Sequence, residues 1–155
     1  LVNRLELPVT EHWKMYVGAL LLSLAGTIPL IVRDERQGKG STSGIAVTLM
    51  LLGQLVLTFA GITVATVFGG LVLFFAGFNF LEAGLPARLS LIADDDSRGT
   101  SLGLFASSQF LVAFVGVLIG GRFLATGRPA DVFIVCVLLA AILLAMQSFG
   151  RTRTS

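Results

Sequence analysis

Chemistry in this chain of 155 residues concentrates in one stretch, "FNFLEAGLPARLSLIADDDSRG", Phe78 to Gly99. It holds Glu82, Arg88, three consecutive aspartates and Arg98, and it follows a long uncharged run. Glu82 reads first as a solvated or salt-bridged structural carboxylate, with gating or proton coupling as the alternative. A carboxylate closing a helix opposes the helix dipole, so Arg88 and Arg98 are its candidate partners. Asp94, Asp95 and Asp96 make a poor metal site, because adjacent carboxylates do not converge as the alternating ligands of a calcium loop do. They suit a helix start, with Asp96 or Ser97 as N-cap. Elsewhere the reactive types are isolated: His12 and Cys136 are the sole histidine and cysteine. No intrachain disulfide, nucleophile–base pair or metal-ligand cluster follows from the spacing, which argues against an enzyme and calls for no cofactor and no metal.

The elements that must position these residues are membrane helices. Hydrophobic residues make up 55% of the chain and charged residues 13%, and the mean hydropathy is +0.91, far from the balance of a water-soluble domain. A helix crosses a hydrocarbon core of about 30 Å in about 20 residues. The uncharged gaps are 18 residues between Lys14 and Arg33, 42 from Gly40 to Leu81, 23 from Gly99 to Gly121 and 19 from Val132 to Gly150. They accommodate one, two, one and one crossings, the long gap turning near Gly61-Ile62-Thr63. An all-α integral membrane fold of five spans is expected, at about 13–32, 44–60, 63–83, 99–121 and 132–149, within the single stretch 1–155. Runs such as "IAVTLMLLGQLVLTFAG" lack the alternation of barrel strands.

Within these spans, Trp13, Tyr16, His12 and Lys14 fit an interfacial belt. Pro29 should kink the end of the first span and Pro86 should end the third, leaving "ARLSLIA" along the interface. Gln54 prefers a neighbouring helix to lipid, Gly69, Gly70 and Gly77 allow close helix approach, and Cys136 packs as a small residue. Glu82 would lie about 28 Å along its helix, at the membrane edge. The formal charge of +2 comes from scattered loop residues, which gives no nucleic-acid face. Arg33, Arg36, Lys39, Arg88, Arg98, Arg151 and Arg153 would share one side against Arg4, Lys14, Arg122 and Arg128, which places the C-terminus in the cytoplasm. The chain begins at Leu1 with nothing like a signal peptide and reads as part of a longer protein.

"LEAGLP" closing one span, then "SRGTSLG" and "FASSQFL", resembles the second half of major facilitator superfamily transporters, in the drug:proton antiporter-like branch. "DERQGKG" resembles a degenerate copy of that superfamily's loop signature, Asp-Arg-x-Gly-Arg/Lys, with Glu35, Arg36, Gly38 and Lys39 filling the pattern and Glu35 replacing the aspartate. The resemblance covers essentially the whole chain and implies helices 8 to 12 of a twelve-helix inner-membrane transporter whose N-terminal half is missing. It implies proton-coupled efflux of a small molecule by alternating access in a lipid bilayer. It places Asn79 and Glu82 near the inner mouth of the cavity, groups Phe75 with them, and puts Arg98, Gly99, Thr100 and Gly103 at the contact between halves. Val112 departs from the family pattern, where a small residue commonly follows "QFL". The competing expectation is a small helical membrane subunit that binds a partner or lipid and transports nothing itself.

Overall fold

Long apolar runs broken by short polar segments become five helices among the described residues. The computed structural model describes residues 12–37, 42–61, 63–128 and 130–152. They form α1 (His12–Gln37), α2 (Ser43–Phe59), α3 (Val64–Ile92), α4 (Arg98–Ala125) and α5 (Ala130–Thr152), with no strand among the described residues. α1, α3 and α4 are long and apolar enough to cross a membrane, and the other two apolar helices are shorter. α2, with 17 residues, rises about 25 Å, at the lower limit of a spanning helix. Over the described residues the protein is all-helical and membrane-embedded.

The chain divides into two units, Leu1–Leu81 with Phe133–Ser155, and Glu82–Val132. In the first, α1 buries Met15, Ala19, Ser23, Thr27, Leu30 and Asp34, a stripe with spacings of four and three that holds one helix face. Met15 packs with Val67, and Leu30 with Ala46 and Phe80. Association of helices in lipid depends on close van der Waals fit, for which small residues are needed at the contact. A Cβ on Gly77 would collide with the Ala46 carbonyl oxygen, and one on Gly70 would lie 2.8 Å from Leu57 Cγ. At Gly70 the Leu57 side chain would have to shift, whereas Gly77 is required where α2 and α3 meet, because the obstacle there is backbone. Gly53 does the same from α2, its would-be Cβ lying 2.7 Å from the Gly70 carbonyl oxygen, whereas Gly69 meets nothing within 4 Å.

The turn between α2 and α3 falls at 60–63, as the sequence suggests. Thr63 caps α3 reciprocally: the Thr66 N–H donates to Thr63 Oγ1 at 3.2 Å, and the Thr63 N–H donates to Thr66 Oγ1 at 3.0 Å. At the other end of α1, the buried Asp34 accepts the Thr42 N–H at 3.2 Å. Thr42 is the residue that precedes α2, so the carboxylate sits against a helix N-terminus, where orphan N–H groups and the dipole favour negative charge.

Pro86 behaves differently from expectation, and α1 outruns its expected span. Pro86 does not end α3: the helix continues to Ile92, so "ARLSLIA" is largely helical rather than a separate interfacial segment. α1 likewise continues through Pro29 to Gln37, beyond the expected end at Val32. A proline removes one N–H and strains the turn before it, and here the flanking helical turns hold the chain in register. α4 runs past Gly121 to Ala125, stopping at Gly127, whose φ of 72° suits glycine. There the Arg128 N–H donates to the Phe123 carbonyl (2.9 Å) and the Gly127 N–H to the Leu124 carbonyl (3.1 Å), a Schellman closure. α5 extends into the basic tail as far as Thr152.

Candidate gate and cavity residues

α3 carries Phe75, Asn79 and Glu82 at spacings of four and three, the register of a single helix face. Reaching Ile92 moves Glu82 from the expected helix end into the interior of α3, so the opposition between its carboxylate and a terminal dipole does not arise. Arg98 is not its partner: that guanidinium bonds Asp95 Oδ1 at 2.6 Å, one exposed pair within the linker and the first turn of α4. Glu82 Oε2 instead accepts from Gln109 Nε2 of α4 at 3.1 Å. A hydrogen bond to a carboxylate is stronger than one between neutral groups, so an amide from α4 steadies the charge on α3.

In the first unit, Asn79 donates through Nδ2 to Ser23 Oγ at 3.1 Å. Ser23 is fully buried and its hydroxyl donates to the Leu20 carbonyl at 2.6 Å. Thr27, one turn further along α1, has its hydroxyl 2.9 Å from the Ser23 carbonyl oxygen and 3.2 Å from that of Ala76. A short polar ladder therefore joins α1 to α3 inside an apolar unit, where paired polar groups specify one arrangement of helices. Phe75 stands edge-on to Phe74, ring centroids 5.7 Å apart.

Ser97 occupies the predicted N-cap position of α4, but its side chain makes no capping bond and turns back to the Asp94 carbonyl at 3.3 Å. Arg98, Gly99, Thr100 and Gly103 form the first turns of α4. Nothing lies within 4 Å of a Cβ built on Gly99 or Gly103. Glu35 and Arg36 are helical and exposed in the last turn of α1 rather than in a loop. Gly38 and Lys39 lie outside the described residues.

Three residues escaped selection by type. Asp34 stands beside the Glu35 that the signature pattern selects, and it is Asp34 that is buried against α2. Ser23 falls on the buried stripe of α1, at spacings of four from Ala19 and Thr27. Gln109 is the one amide in the apolar run of α4 and lies within the quoted "FASSQFL".

No protein-family model matches the chain. Among curated proteins it is 31% identical over 142 residues to the inner membrane transport protein YajR of Escherichia coli (strain K12), a match covering 91% of this chain and 31% of that protein. It is 28% identical over 107 residues to an uncharacterized transporter of Buchnera aphidicola subsp. Acyrthosiphon pisum (strain APS), covering 68% of this chain and 27% of that one. A shorter match, 38% identical over 52 residues, covers 34% of this chain and 13% of an uncharacterized transporter of Buchnera aphidicola subsp. Baizongia pistaciae (strain Bp). The chain thus spans about a third or less of the length of the curated relatives it matches. Over nearly all of its own length it is similar to a part of proteins named as transporters.

Proposed function

We propose that this chain is the helix 8 to 12 portion of a major facilitator transporter of the drug:proton antiporter-like branch. It works with an N-terminal half to move a small amphipathic molecule outward across the inner membrane in exchange for protons. The observation that carries the reading is the similarity over 91% of the chain to an inner membrane transport protein. The arrangement of polar groups supports it: in apolar helices, an intramembrane or membrane-edge carboxylate is costly and is kept for function, and α3 carries Glu82 with an amide partner from α4. Alternating access needs two halves that rock around a site. In this reading the five helices all span, the C-terminus is cytoplasmic, Phe75 and Asn79 line the cavity, Glu82 stands at its inner mouth, and the start of α4 meets the other half.

The test uses the full-length protein that carries this chain, expressed in cells loaded with ethidium as an amphipathic probe. Wild type extrudes ethidium faster than the empty vector, and a protonophore removes the difference. Glu82→Gln keeps membrane insertion and slows extrusion by about tenfold or more, the scale of a removed charge-assisted interaction. Extrusion equal to that of the vector overturns efflux of such compounds; a Glu82→Gln protein with wild-type extrusion overturns the gating role.

A further inference from the structure

The bonds behind the polar face of α3 fix which of its atoms stay free. Ser23 spends its hydroxyl proton on the Leu20 carbonyl at 2.6 Å, so towards Asn79 it can only accept. The Asn79 amide must therefore turn its nitrogen to Ser23, as the 3.1 Å bond from Nδ2 to Oγ shows, and its carbonyl end points away. That oxygen keeps accessible surface and accepts no bond among the described residues. Nearly one turn further on, Glu82 is exposed; Gln109 Nε2 occupies its Oε2 at 3.1 Å, and its Oε1 accepts nothing among the described residues. No cation neutralises this carboxylate there either: Arg98 and Arg128 pair with Asp95 and Asp131, and no lysine or arginine among the described residues pairs with Glu82. Asn79 and Glu82 belong to the one helix α3, so the helix itself sets their separation, about 5–6 Å between Cβ atoms at a spacing of three.

Resting on the efflux reading above, we propose that the transported molecule is a protonated primary or secondary amine, whose ammonium donates one N–H to Asn79 Oδ1 and another to Glu82 Oε1. Its hydrocarbon body extends towards Phe75, one turn before Asn79 on the same face. An ammonium brings two or three donors and no acceptor, and an amine that titrates like lysine is charged at neutral pH. Its bonds to a carboxylate belong to the strong, charge-assisted class. A quaternary ammonium carries the charge without an N–H, and an alcohol carries a donor without the charge, so the pair of acceptors discriminates against both. Ser23 is a positioning residue in this scheme: it touches no substrate and acts by holding the Asn79 amide with its oxygen outward.

The experiment uses the purified full-length protein in dodecylmaltoside micelles at pH 7, with dansylcadaverine, a primary amine, as the fluorescent probe. Octylamine, octyltrimethylammonium and octanol compete at equal micelle-bound concentration. Octylamine should displace the probe about tenfold better than octyltrimethylammonium, the scale of a hydrogen bond to a charged acceptor, and octanol should trail octylamine by at least as much. Glu82→Gln should remove most of the advantage over octanol. Asn79→Ala and Ser23→Ala should each lower the ratio of octylamine to octyltrimethylammonium by about fivefold, the effect of one hydrogen bond; a merely structural loss weakens both heads alike and leaves that ratio unchanged. Equal displacement by the two heads in the wild-type protein overturns the proposal with no variant needed. So does a wild-type protein that binds no displaceable probe, or a preference that survives in both Asn79→Ala and Glu82→Gln. Ethidium judges the efflux reading separately: extrusion beside equal heads refutes the amine site and leaves efflux standing, whereas vector-level extrusion beside an intact head preference refutes efflux of such compounds and leaves the site.

Discussion

Glycine and aspartate carry the packing at the level of single residues. Gly77 lies against the Ala46 carbonyl oxygen, and backbone cannot move aside as a flexible side chain does. Gly77→Val is expected to destabilise the protein by about 1–3 kcal/mol through overpacking, whereas Gly69→Ala, whose Cβ would meet nothing within 4 Å, should stabilise it by about 0.5–1 kcal/mol through helix propensity. Titration of helicity against a denaturing detergent reads both; equal losses for the two variants would refute the assigned α2–α3 contact. Asp34 makes a second kind of contribution, a buried carboxylate accepting the N–H of the residue before α2. Asp34→Ala should cost about 0.5–2 kcal/mol, the range for a lost helix cap, and the same titration detects it. Unchanged stability would mean that the bond to Thr42 contributes nothing net.

At the scale of the helix, α3 shows how a local breaker is overruled. Pro86 has no N–H to give to the carbonyl of Glu82, four residues earlier, yet the chain remains helical to Ile92. Proline propensity acts on one turn, while each residue beyond it regains a backbone bond that lipid cannot replace. Pro86→Ala should therefore strengthen the second half of α3, and amide hydrogen exchange from Arg88 to Leu91 is expected to slow by up to about a hundredfold, since a mid-helix proline costs about 3 kcal/mol. Exchange unaltered by the substitution would show that the turn at Pro86 is already as stable as its neighbours. The ends of α3 and α4 follow recognisable local rules: a Thr63–Thr66 box starts one, and Gly127 closes the other. Those signals were present in the residues. The continuation of α3 was not legible, because the sum of backbone bonds past a proline outweighs a penalty that is the only local feature in view.

For the molecule as a whole, the question is what the first turns of α4 meet. Gly99 and Gly103 share one helical face, where a Cβ built on either would meet nothing within 4 Å, and the proposed transporter places the other half there. In the full-length protein, Gly103→Trp should hold the cytoplasmic side open, raising alkylation of a cysteine introduced beside the inner mouth by several-fold, the size of a modest population shift of about 1 kcal/mol. Accessibility identical to that of the unsubstituted protein would remove Gly103 from the contact. The partner of Glu82 belongs to the same scale. Opposite charge points to Arg88 or Arg98 from sequence, but Arg98 finds Asp95 three residues away, and a neutral amide on another helix reaches the carboxylate.

Composition and the spacing of charges determined the class of this protein by themselves. Lipid admits only backbone that satisfies its own hydrogen bonds, so long apolar runs of this length become helices, and the turn at 60–63 and the small residues Gly70 and Gly77 could be read from local chemistry. Tertiary structure alone decided the pairings. Gln109 on Glu82, Ser23 on Asn79 and Asp34 on the start of α2 each join different helices or a helix to the start of the next, and the buried Gln54 oxygen is left without a partner. Such contacts depend on which helix faces meet, and that is set by close packing between helices rather than by any property of one segment.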